Sequence, residues 1–143
     1  MKKALVIYQS KNGTTRQFGK KIADYLFCKG IINKALSVEE AENTDLDSYD
    51  YVFLGCWTKG LMIIAQHPDN IWQQYVKNLN FTSDIKIGLF TTYKIATGTM
   101  FSRMAKCLPE VRRKNILELK SRNGDLPDEA SAALESFIDQ DNH

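Results

Sequence analysis

Short apolar runs alternate with helix-patterned segments along nearly the whole chain, and this alternation constrains the fold more than any other feature of the sequence. Ala4-Leu5-Val6-Ile7-Tyr8 is an unbroken apolar run, the pattern of a strand buried on both faces. From Thr15 to Phe27, apolar residues fall at Phe18, Ile22, Ala23, Leu26 and Phe27, with Lys20 and Lys21 on the opposite side, and Gly30 supplies a helix stop. Ile31 to Val38 reads as a weak second strand. Tyr51-Val52-Phe53-Leu54 is another buried-type run, ended by Gly55. His67-Pro68-Asp69 opens a helix whose apolar positions are Ile71, Trp72, Tyr75, Val76 and Leu79. A strand over Ile85 to Phe90 and a helix over Thr99 to Leu108, stopped near Pro109, come next. Asn115 to Leu119 is a last short strand. Pro127 to Ile138 is a closing helix with Ala130, Ala133, Leu134, Phe137 and Ile138 as its stripe.

The resulting order is β-α-β-β-α-β-α-β-α, with a solvated loop or short helix in the acidic stretch Glu39 to Asp50. Strands separated by helical crossovers require right-handed connections and a mostly parallel sheet covered on both faces. The fold class is therefore α/β: a small three-layer sandwich with five strands. With 143 residues and no linker or repeat, residues 1–143 read as one domain. Ligands of such sheets bind beyond the carboxyl ends of the strands, so the residues that follow each strand are where chemistry is expected.

Composition narrows the function. The chain is 43% hydrophobic and 25% charged, with a formal charge of +2, which gives no global case for nucleic-acid binding. The apolar run after Lys2 and Lys3 ends at Tyr8, short of the roughly 7–15 residues of a signal peptide, and no run approaches the roughly 20 of a membrane span. Cys28, Cys56 and Cys107 form neither a disulfide framework nor a zinc pattern, so a reducing cytoplasm is expected. No nucleophilic triad, carboxylate pair or metal-ligand spacing is present; His67 reads as a capping or loop residue, and His143 is terminal.

After the first strand, Ser10-Lys11-Asn12-Gly13-Thr14-Thr15 runs directly into a helix. A tight glycine turn, three hydroxyls and the free N–H groups of a helix start suit a phosphate, with Lys11 and Arg16 adding charge. The Gly-Lys-Ser/Thr ending of the ATP-type loop is absent. An ordinary capped βα turn is the other reading. After the next buried run comes Gly55-Cys56-Trp57-Thr58-Lys59-Gly60, and after the fourth strand Thr91-Thr92-Tyr93-Lys94-Ile95-Ala96-Thr97-Gly98. Trp57 and Tyr93 are flat rings able to stack on a flat ligand or to anchor their loops. Cys56 reads as an inert buried thiol before a redox-active one, Cys28 and Cys107 as core, and Trp72 as core.

Val6-Ile7-Tyr8, Ser10, Gly13, Thr15 and Ile22 match the flavodoxin signature at its spacing; Gly19 stands where alanine is usual and Asn12 where threonine is common. The chain resembles a short-chain flavodoxin over essentially its whole length. The resemblance implies a sheet order of 2-1-3-4-5 with FMN at the switch point, as is known for flavodoxin itself. It implies that Ser10, Lys11, Asn12, Gly13, Thr14 and Thr15 hold the phosphate. It places Cys56, Trp57 and Thr58 against one side of the flavin ring, and Thr91, Thr92, Tyr93 and Lys94 against its edge and other face. The implied function is electron transfer between a reductase and an acceptor enzyme, by a monomer or weak dimer, with the chemistry carried by the cofactor. Two alternatives stand beside it: a small FMN-dependent flavin or quinone reductase, with Leu61 to Gln66 as a substrate wall, and a binding module that has lost FMN.

The charge is unevenly spread. Residues 1–22 carry six bases and no acid, residues 39–50 six acids and no base, and residues 103–122 seven bases against two acids. Flavodoxins are strongly acidic, so these blocks read either as solvated faces or as docking surfaces for a different kind of partner.

Overall fold

The computed structural model describes residues 1–58, 67–81, 84–94 and 96–140. Among these residues five strands are formed: β1 (Lys3–Gln9), β2 (Ile32–Ser37), β3 (Tyr51–Trp57), β4 (Lys86–Thr92) and β5 (Leu117–Ser121). Four α-helices accompany them: α1 (Thr14–Cys28), α2 (Asn70–Lys77), α3 (Met100–Ala105) and α4 (Asp128–Asp139). A 3-10 turn follows Pro109 at Glu110–Arg112. All neighbouring strands pair in parallel, in the order β2-β1-β3-β4-β5, which is the expected 2-1-3-4-5 sheet.

Strand side chains alternate between two cores. Ala4, Val6 and Tyr8 of β1 join Tyr51, Phe53, Phe90 and Leu119 beneath α1 and α4. Leu5 and Ile7 join Val52, Leu54, Ile87 and Leu89 on the other face, against Trp72 and Val76 of α2 and Met100 and Met104 of α3. Trp72 is fully buried, as its place in the helical stripe predicts.

Several boundaries differ from the sequence reading, among them those of β3, β4 and the start of β5. Gly55 does not end β3; Cys56 and Trp57 remain paired with the neighbouring strands, and a side chain at 55 would collide with the ring of Phe90, so the glycine serves packing within the strand rather than a turn. Strand β4 likewise runs on through Thr91 and Thr92, both buried. Strand β5 begins at Leu117, two residues late, because Asn115 takes a left-handed φ of 60° that extended pairing excludes.

The acidic stretch is neither a helix nor wholly solvated. It forms turns pinned by Ser37 and Glu40, whose backbone N–H groups each donate to the other's side chain (3.0 and 3.1 Å). It also buries Val38, Ala41 and Leu46. Phe27 and Cys28, expected in the core, are exposed at the last turn of α1.

Candidate functional site

The register brings the predicted loops to one edge. Gln9 pairs with Cys56, Trp57 with Thr92, and Thr92 with Ser121, so Ser10, Thr58, Tyr93 and Arg122 all leave the sheet at neighbouring positions.

In the first loop Gly13 has φ 92°, a conformation that side chains resist, and nothing lies within 4 Å of where a β-carbon would stand. The turn is thus open beside the start of α1. The Ser10 hydroxyl accepts from the N–H groups of Gly13 (3.1 Å) and Arg16 (3.3 Å). Its single hydrogen is left for an acceptor outside the loop. Lys11, Asn12 and Gly13 are exposed, Ser10 and Thr14 half-buried. No acidic residue occupies the first turn of α1. These features suit a phosphate group, with Ser10, Thr14 and loop N–H groups as donors.

Thr15 stands apart from its neighbours. It is buried, and its hydroxyl meets that of Thr92 at 2.6 Å. It therefore ties α1 to the end of β4. Thr91 performs the matching task for the second loop: its hydroxyl donates to the Cys56 carbonyl (2.6 Å) and lies 3.0 Å from the hydroxyl of Thr58. The N–H of Thr58 donates to the Thr92 carbonyl (3.0 Å).

Trp57 is half-buried, and the Lys11 ammonium sits 5.0 Å from its ring centroid, so the first and second loops touch through a cation–π contact. Tyr93 is half-buried between Lys120 (5.9 Å) and Arg122 (5.5 Å). Lys94, exposed, is not the cation against that ring. Lys120 of β5 and Arg122 just after it were missed by sequence reading, although the register of β4 with β5 places them there. A cleft of about 840 Å³ opens on this side, lined by Tyr93, Phe101, Lys120, Arg122 and the loop around Asn123.

Cys56 is buried in the core beneath the second loop, its sulfur accepting from the N–H of Asp69 (3.3 Å). Burial pushes its thiol up to about 12, which leaves it protonated and unreactive at neutral pH. The segment Leu61 to Gln66, together with Lys59, Gly60, Ile95 and His143, lies outside the described residues. Among the described residues no His/Cys/Asp/Glu group is arranged to hold a metal, and no helix is long and apolar enough to cross a membrane.

What the edge presents is an open turn with no acidic residue at a helix start, and two aromatic rings leaving adjacent strands. No curated protein matches the chain significantly. Among solved structures, it is similar to oxidised flavodoxin 1 from Bacillus cereus (17% identity, 99% of this chain and 98% of that one, TM-score 0.65). It is also similar to a variant flavodoxin from Fusobacterium nucleatum bound to flavin mononucleotide (15% identity, 97% and 94% covered, TM-score 0.62). It matches part of the rubredoxin oxygen:oxidoreductase of Desulfovibrio gigas (16% identity, TM-score 0.69), where it covers 96% of its own length and spans 34% of that chain. These likenesses establish the fold. A family model, the flavodoxin domain, matches residues 5–118, and the chain belongs to that family.

Proposed function

We propose that the chain binds FMN and carries electrons between a reductase and an acceptor enzyme. The observation that carries this reading is the convergence, at one sheet edge, of the open turn at Gly13 with the rings of Trp57 and Tyr93. When bound, the flavin supplies one- and two-electron redox chemistry. The protein's part is to bind and tune. Ser10, Thr14 and the N–H groups around Gly13 hold the phosphate, assisted by the charge of Lys11 and Arg16. Trp57 and Tyr93 give flat apolar contact to the ring. Thr15, Thr91, Thr92 and Thr58 fix the loops to the strands, and Cys56 supports the second loop from below. Lys120 and Arg122, held against Tyr93, add positive charge where negative charge develops on reduction.

The same reading makes the protein cytoplasmic, monomeric or weakly dimeric, and a docking partner of other redox proteins rather than of nucleic acid or a membrane. The likeness of its fold to flavodoxins supports it.

The test is reconstitution. Added FMN should give a yellow 1:1 complex, and Ser10→Ala should weaken FMN more than riboflavin, because the serine is assigned to the phosphate. Protein that takes up no FMN sinks the proposal. Equal losses for both ligands remove Ser10 from the phosphate. Steady oxidation of NAD(P)H with a quinone by the pure chain would favour a reductase instead.

A further inference from the structure

Between α2 and α3, meeting the cleft beside Tyr93 at Ser102, lies a hollow of about 530 Å³. Lys77, Arg103 and Lys106 line it together with His67, Thr99 and Ser102, and no aspartate or glutamate is among its described lining residues. Lys77 is in the last turn of α2, whereas Arg103 lies in α3 and Lys106, three residues on, caps that helix's C-terminus. Two separate elements thus direct cations into the same concavity. Arg103 is fixed there: its Nε donates to the Thr99 hydroxyl at 3.1 Å, which leaves the outer fork of the guanidinium for an anion. Cys107 forms part of the wall, its thiol directed at the Arg103 carbonyl (3.7 Å). The positive charge of Lys77 is felt at that thiol, where it opposes the upward push of burial.

Three like charges around one hollow repel each other unless an anion joins them. A flat basic face suits a protein; a concave one, with a hydroxyl at Ser102 and an amide at Gln73 beside the cations, suits a small ligand. We propose that this hollow binds a small phosphate-bearing molecule, gripped by Arg103, Lys106 and Lys77. The site shares no residue with the loop at Ser10 to Thr15 and meets the cleft beside Tyr93 at Ser102.

The whole chain, labelled with nitrogen-15, can be titrated with pyrophosphate at about 50 mM salt, where surface charge is only partly screened. Saturable 1:1 shifts are expected at residues 73–77 and 99–107. Arg103→Glu with Lys106→Glu should weaken that binding by on the order of tenfold or more, while Lys20→Glu with Lys21→Glu on α1 should leave it unchanged. The milder Lys106→Gln serves if the double variant does not give a folded spectrum, and it should weaken binding in the same direction. Shifts at residues 10–16 report the loop of the proposed function and are scored separately. The proposal is overturned by shifts that do not saturate, by equal losses in the α1 pair, or by a hollow that responds to polyglutamate and not to pyrophosphate. The last outcome would assign the face to an acidic protein.

Discussion

A β-carbon built on Gly55 would fall 2.0 Å from a ring carbon of Phe90, its partner across the sheet. The relation is reciprocal two pairs earlier: a β-carbon on Gly88 would fall 2.6 Å from the ring of Phe53. Each ring lies over the bare backbone of the opposite strand. Gly55→Ala is therefore expected to destabilise by about 2–3 kcal/mol or more, the cost of overpacking a rigid site. Gly55→Ala with Phe90→Leu should recover part of the loss. Urea denaturation of the three proteins decides it, and a Gly55→Ala protein as stable as the parent would show that the ring does not lie there.

Gly19 is the opposite case. A β-carbon there would lie 3.4 Å from Phe90 and Tyr8, which is ordinary contact. Gly19→Ala in the middle of α1 should stabilise by about 0.5–1 kcal/mol through lower backbone entropy in the unfolded chain. A lower melting temperature would mean that the rings of Phe90 and Tyr8 cannot give way to the added methyl group.

The buried Thr15–Thr92 hydroxyl pair predicts a non-additive cycle. Thr15→Val or Thr92→Val alone strands one buried hydroxyl and should cost about 1–3 kcal/mol, whereas the double variant removes both and should cost less than the two single changes together. Strict additivity in denaturation midpoints would show the two groups to be independent.

Thiol chemistry should separate by burial. Cys28 is exposed, while Cys56 is buried and pushed up to about 12, so at pH 8 a disulfide reagent should modify Cys28 rapidly and Cys56 only on unfolding. The sign for stability follows. Below pH 9 the thiol is protonated in both states and contributes no pH dependence. Between 9 and 12 the unfolded thiol ionises and the folded one does not, so stability falls as pH rises, by about 1.4 kcal/mol per unit at most. Tyr75, also raised to about 12 by burial, adds to the fall above pH 10. Cys56→Ala should flatten the curve in the lower part of that window; an unchanged slope in urea titrations would exclude Cys56 as its source.

On the proposed flavin, Trp57→Ala should raise the potential of the final one-electron reduction, because an electron-rich ring beside the flavin disfavours added negative charge. Lys120→Glu with Arg122→Glu should lower that potential by replacing cations with anions near Tyr93. Spectroelectrochemistry reads both, and potentials that stay put would remove these side chains from the ring's surroundings.

The sheet was legible because its strands are buried on both faces and so appear as unbroken apolar runs; Val6-Ile7 and Val52-Phe53-Leu54 admit little else. The loop at Ser10 to Thr15 was legible because a strand, a glycine and a helix start follow each other within a few residues. Gly55 was misread as a stop, since a glycine needed for a ring on another strand looks locally like one needed for a turn. Phe27 kept helical spacing yet faces solvent. Lys120 and Arg122 were not recognised as site residues because their place beside Tyr93 depends on β4–β5 register, a relation between segments nearly thirty residues apart.

Thr91 and Thr92 end the strand that lies between β3 and β5, and their hydroxyls brace two different neighbours: Thr92 grips α1 through Thr15, and Thr91 grips the second loop through Cys56 and Thr58. A rim pinned in this way has few dipoles free to turn when the charge of a bound group changes. For the proposed electron carrier such stiffness means small reorganisation, which fast electron exchange requires, and two adjacent threonines would supply it by bracing the frame.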